Sequence, residues 1–342
     1  MQWTPPVRLR HAKSMVTPEE ESEITQTVTV LSNAGSSAVD RFKAAQRLCH
    51  LARPRQGSAV LVSMMEDAIG PLVSMLRDSS SVSGQKIAAT CLARLAVAEE
   101  NQIQIAHHGG IDVVIMQVRQ GETVVKERSA AVLSLLCDSP ALRSRIAERG
   151  GINSLIQLLQ KGSIPARTHA ATALGNLARH EQCQESAEYH AIISERNGLT
   201  PLVELLRNGP DSAKEAVANA LCALAKGSPA NEKELLEKGV VPCLLDIILY
   251  HLISYESGIG SQASHSSLVI ILISPVSQAL EALGQNVDQL VFENGNGARK
   301  TTRQPKFTGH LSPRRLQNEA DHSTASRQSS RTPNANKQLT FS

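Results

Sequence analysis

The sequence predicts an all-α solenoid, a stack of short helical units with one continuous core. Three observations carry that prediction. Aromatic residues are 2% of the 342-residue chain while 41% is hydrophobic, so the core must be built from Leu, Ala, Val and Ile. Such a core suits close helix packing and argues against most sandwiches, barrels and large α/β enzymes. Second, one pattern recurs: a small residue, an apolar octet, then an Ala/Leu-rich stretch. Third, the distance between its two halves is nearly constant. Self-similarity of this kind marks a repeat architecture.

Taken in chain order, Thr17-Pro-Glu-Glu20 opens the first helix with Pro at its first helical position. The octets open at Ala68, Gly110, Gly151, Gly198 and Gly239, in steps of 42, 41, 47 and 41. The Ala/Leu stretches carry anchor leucines Leu48, Leu92, Leu133, Leu174 and Leu221. The distance from opener to anchor is 23 residues three times and 24 once. Each unit reads as three helical pieces. A short first helix covers 101–107, 142–149 or 231–238, and a Gly-containing turn ends it, because Gly tolerates positive φ. The octet forms the second helix and the Ala/Leu stretch the third. Asp211-Ser212-Ala-Lys-Glu215 reads as a capping box before the last of these. The step of 47 implies a lengthened loop around Glu181 to Tyr189. The sixth unit departs further: Leu280 lies 41 residues beyond Gly239. The extra residues fall within 252–276 and read either as a loop or as a translated short intron, which the spliced transcript would decide.

These residues resemble the armadillo repeat, with its "Gly-Ile/Leu-x-x-Leu-Val/Ile-x-Leu-Leu" second helix and its "Ala-Ala-x-Ala-Leu-x-Asn-Leu-Ala" third helix. Gly151 to Ala178 follows both almost completely, and the resemblance covers about six units. It implies a right-handed α-solenoid whose third helices line a concave groove. Expected domains are a disordered segment 1–21, the solenoid 22–293 and a basic disordered tail 294–342.

In such repeats the Asn of the third helix holds an extended peptide backbone, and import receptors add a Trp four residues earlier. Here the Asn slot holds His50, Arg94, Leu135, Asn176 and Ala223, and the Trp slot holds Gln46, Thr90, Ala131, Thr172 and Asn219. Without aromatic slots for lysine side chains, an import receptor for basic signals is not expected. The stripe through these slots adds Lys43 and Arg53, Ile87 and Val97, Arg128 and Asp138, His169 and Arg179, and Ala216 and Lys226. Six fixed positive charges accompany one negative, whereas residues 1–293 sum to −4. A basic groove for an acidic, extended segment is the sharper reading; a solvated face with charges placed by chance is the plain one. The candidate groove residues are Lys43, Gln46, His50, Arg53, Thr90, Arg94, Arg128, Thr172, Asn176, Arg179, Asn219 and Lys226.

No nucleotide-binding, metalloprotease or hydrolase motif is present, so no catalytic, cofactor or metal residues are assigned. Ser83-Gly-Gln-Lys86 reads as a helix start. The six cysteines form no CxxC pair, and Cys49 and Cys222 share a small-residue slot with Ala93, Ser134 and Gly175. The longest apolar run, 268–273, is far short of the roughly twenty residues a membrane span needs. Met1 to Glu20 holds no secretory signal, and Gln2 excludes myristoylation. These signs lead to the expectation of a soluble, cytoplasmic protein. It would also be nuclear if Arg299-Lys300 with Arg314-Arg315 act as a bipartite signal. The tail carries nine Lys/Arg against Glu319 and Asp321, and Ser312-Pro and Thr332-Pro could take phosphate. Nucleic acid would be bound only weakly, through that tail. The function expected is a non-catalytic scaffold or adaptor; the alternatives are the substrate arm of a ubiquitin-ligase assembly and a vacuole-type membrane adaptor.

Overall fold

The structure is a computed structural model that describes residues 18–33, 35–52, 66–179, 184–226, 228–247 and 278–284. The insert 252–276, the tail 294–342, Arg53 and Cys183 lie outside the described residues.

The helices come in the predicted order. Unit one is α1 (Pro18–Ser32) and α2 (Ala38–Leu51). Unit two is α3 (Glu66–Arg77) and α4 (Val82–Leu95). Units three to five have all three pieces: α5 (Glu99–His107), α6 (Gly110–Gln120) and α7 (Thr123–Leu136); α8 (Pro140–Glu148), α9 (Gly151–Lys161) and α10 (Ile164–Ala178); α11 (Gln184–Glu195), α12 (Leu199–Asn208) and α13 (Asp211–Lys226). Unit six contributes α14 (Pro229–Glu237), helical residues 240–247 and the short helix 278–282. The second helices pack in a row, α1 on α3, α3 on α6, α6 on α9 and α9 on α12. The third helices form a parallel row, α2 on α4, α4 on α7, α7 on α10 and α10 on α13. No unit closes its own apolar faces, so the core runs through every junction. All six anchor leucines, Leu280 included, are fully buried along it.

The two residues of each turn have different duties, and in the turns at 109–110 and 150–151 both are glycine. Gly109, Gly150 and Gly239 adopt φ of 72°, 75° and 69°, and Asn197 takes the same role at 55°, Asn being the other residue that visits this region readily. The next glycine has no room for a side chain. A Cβ on Gly151 would stand 2.5 Å from Ile146 Cγ2 and 2.7 Å from its carbonyl oxygen. This also corrects the sixth unit by one residue: Gly239 is the left-handed turn residue, and Val240 begins the second helix.

Polar side chains seal the junctions. The last carbonyls of a third helix lack intrahelical donors, and after α4, α7, α10 and α13 the following first helix supplies partners. Asn101 donates to the Leu95 carbonyl at 2.9 Å and Gln102 to Ala96 at 2.8 Å. Arg143 donates to Cys137 and Asp138 at 2.9 and 3.0 Å. His190 Nε2 contacts the Ala178 carbonyl at 2.9 Å and Asn231 donates to Leu224 at 3.3 Å. Burial pulls the Arg143 guanidinium below its ordinary value.

Two local expectations are corrected. The stretch around Glu181 to Tyr189 is helical from Gln184 onward; α11 has 12 residues where α5, α8 and α14 have nine. Tyr189, His190 and Ile193 are buried at helical spacing, which draws the added residues into the helix. The capping box at Asp211 does not form: Asp211 is the first helical residue and pairs with Lys214 at 3.5 Å, while Lys214 N–H bonds the Pro210 carbonyl.

Candidate peptide-binding face

The third helices bury Ala, Leu and Cys on three sides and leave one stripe open. Lys43, Gln46 and His50 on α2 are exposed, as are Arg128 on α7, Arg179 after α10 and Lys226 at the end of α13. Thr90, Arg94, Thr172 and Asn219 are half-buried on the same stripe, and Asn176 is buried. Five equivalent helices thus present the candidate positions side by side, except Arg53, which lies outside the described residues.

The Asn slot has a structural duty in two units. Asn176 Nδ2 donates to the Ser134 carbonyl of the preceding third helix at 3.2 Å. Arg94 Nη1 donates to the Cys49 carbonyl, the equivalent position two junctions earlier. These side chains tie neighbouring third helices together, so Arg94 is not a free cation as its place in the stripe suggests. Thr90 and Thr172 donate their hydroxyls to Lys86 and Thr168 carbonyls on their own helices, at 2.7 and 3.1 Å.

Charge is concentrated on the remaining residues. Lys43, Arg128, Arg179 and Lys226 form no ion pair among the described residues. Arg128 lies near His169, and burial first, then that guanidinium, holds the imidazole below its ordinary value. Glu127 sits one register off and also faces His169; it accepts the Ser163 hydroxyl at 2.6 Å. Burial raises the Cys222 thiol, while Lys226 and Arg179 beside it oppose that shift. The stripe therefore carries mostly positive charges, with the exposed Asp138 on it and Glu127, which the strict stripe spacing did not include, near its middle. His169 belongs with the face as well; its place in the −7 slot was the available signal. The small-residue slot is real: a Cβ on Gly175 would come within 2.8 Å of the Ala220 Cα, so Gly175 sets the close approach of α10 and α13. Ser83 lies in the first turn of α4, which Ser81 caps by accepting the Gly84 N–H at 3.0 Å, and Lys86 pairs with Glu122 at 2.6 Å. A helix start accounts for both.

Comparison with known proteins agrees with this geometry. Residues 139–179, essentially unit four, match the family model "Armadillo/beta-catenin-like repeat". No curated protein matches. A crystal structure of computationally designed armadillo repeat proteins for modular peptide recognition is similar at 21% identity and a TM-score of 0.60, over 77% of this chain and 100% of that one. A designed armadillo repeat protein in complex with the peptide (KR)4 is similar at 20% identity and a TM-score of 0.59, over 76% of this chain and 99% of that one. A structure described as a phosphorylation switch controlling the interaction between cadherin and beta-catenin is similar at 17% identity and a TM-score of 0.53, over 78% of this chain and 47% of that one. The protein has the armadillo-repeat fold, an α-solenoid. Among the described residues, no helix is long and apolar enough to cross a membrane.

Proposed function

We propose that the protein is a non-catalytic scaffold that holds an extended, acidic protein segment along its third-helix face. The observation that carries this reading is the run of cations with no ion pair among the described residues, Lys43, Arg128, Arg179 and Lys226, on one face of four third helices. Neighbouring helices stand about 8–10 Å apart, and an extended chain advances about 3.3 Å per residue. A segment of roughly ten residues therefore passes all the cations between α2 and α13. Arginine receives carboxylates in a two-pronged fashion, and parallel cations focus the field along such a face. The designed neighbour in complex with (KR)4 supports a peptide as the kind of ligand. The sign of the charges on this chain favours the opposite peptide.

The test is affinity capture from cell lysate with the full chain, wild type against Arg128→Glu with Arg179→Glu. Arg94 is left intact because it holds α2 to α4. The expected outcome is loss of a set of partners rich in acidic segments, with unchanged helical content. Identical partner lists would remove the face from the function.

A further inference from the structure

The second-helix row carries a repeated contact of its own. The residue before each left-handed turn is His108, Arg149, Arg196 or Lys238, where a positive charge suits the carbonyl end of the short helix. At two successive junctions this residue lies against the same register position of the preceding second helix. Between units two and three, the His108 ring covers Gly70, where an added Cβ would lie 3.1 Å from Nδ1. Between units three and four, Arg149 Nη1 donates to both carboxylate oxygens of Asp112 at 2.7 Å. Between units four and five, the pair at these positions is Arg196 and Asn153. The carboxylate present one junction earlier is replaced by a neutral amide.

At that junction a cavity of about 340 Å³ opens, lined by Arg119, Asn153, Ile156, Gln157, Gln160 and Arg196. Its volume is at the lower end of ordinary ligand sites. No acid lines it. Arg119 is held at its edge, donating through Nε to Ser154 at 2.7 Å and through Nη2 to the Gly150 carbonyl at 3.2 Å. Among the described residues, Arg196, Asn153, Gln157 and Gln160 have no side-chain hydrogen bond or ion pair. One junction of the internal repeat thus places a carboxylate opposite such an arginine, and the fourth junction lacks it.

We propose that this cavity is a carboxylate-binding site for an acidic side chain of a partner peptide, with Arg196 taking the part that Arg149 plays toward Asp112. Asn153, Gln157 and Gln160 supply amide donors around the carboxylate, and Arg119 adds the second positive charge. The site lies on the second-helix row and shares no residue with the third-helix face, so it stands or falls independently of the proposed function.

The experiment follows the side-chain amide signals of Asn153, Gln157 and Gln160 by nuclear magnetic resonance in the full chain. The additions are a hexapeptide of alternating Glu and Gly, free succinate, and inorganic phosphate as a charge control. The peptide is expected to shift these signals saturably. A response to succinate at equal or lower concentration would instead assign the same site to a small free acid and overturn the peptide part. Asn153→Asp supplies the missing carboxylate. It should weaken peptide binding at least tenfold while raising the melting temperature, and Arg196→Gln should weaken binding as much without raising it. Arg128→Glu with Arg179→Glu should leave the shifts intact. Absence of shifts, an equal response to phosphate, or unaltered binding by Asn153→Asp would overturn the proposal.

Discussion

Gly150 and Gly151 are adjacent and resist substitution for different reasons. Gly150 needs a backbone conformation that costs an L-residue roughly 1–2 kcal/mol. Gly151 needs the space that a methyl would take from the Ile146 side chain and carbonyl. Gly150→Ala should lower stability by about that amount, and Gly151→Ala by roughly 1–3 kcal/mol through overpacking. Urea denaturation of the two variants separates strain from crowding, and equal, negligible shifts would contradict both. His169 gives a pH signature. Burial, reinforced by Arg128, lowers its folded pKa from 6.5. Below pH 6.5 the unfolded chain therefore binds more protons than the folded one, and stability falls as pH drops from there toward the folded value. His169→Gln should flatten that part of the urea-midpoint profile between pH 7.5 and 5.5. An unchanged slope would mean the imidazole is solvated.

At the scale of elements, the third helices are joined by side chain to backbone bonds as well as by apolar packing. Asn176→Ala leaves the buried Ser134 carbonyl without its donor at the α7–α10 junction, at a cost of about 1–3 kcal/mol. Arg94→Ala should act in the same way at α2–α4. Hydrogen exchange should show the loss locally, on the two helices flanking each junction; a uniform change along the chain would contradict nearest-neighbour coupling. These bonds also explain what was legible in the sequence. The period, the anchor leucines and the turn glycines follow from burial and backbone conformation, and both leave residue patterns. The true register of Gly239 depended on which of two adjacent residues takes positive φ, and the pair Gly239-Val240 does not reveal this without the backbone. The helical nature of the stretch from Gln184 was hidden because Tyr189, His190 and Ile193 find their burial only against neighbouring units. Arg94 looked like a free groove cation because its partner is a backbone carbonyl 45 residues away in the chain. The Arg196 cavity left no local motif; it emerges only when successive junctions are superimposed in register.

The whole molecule is a one-dimensional stack whose two rows offer two different surfaces. The third-helix row is a positive stripe over an aliphatic core. The second-helix row carries paired charges, such as Arg149 with Asp112, and beside it Arg196 has no ion pair among the described residues. A net charge of −4 over residues 1–293 beside a basic stripe means the negative charge lies on other surfaces, which helps orient an acidic partner toward the stripe. The central claim is that this stripe selects an acidic, extended segment. Its most direct measurement is the fluorescence anisotropy of two labelled twelve-residue peptides, alternating Glu-Ser and alternating Lys-Ser, titrated with the full chain and with Arg128→Glu/Arg179→Glu at low and high salt. The account predicts that the Glu peptide binds, weakens steeply with salt and loses at least tenfold affinity in the variant, while the Lys peptide does not bind the wild type. Equal binding of both peptides, or full retention of the Glu peptide by the variant, would contradict it.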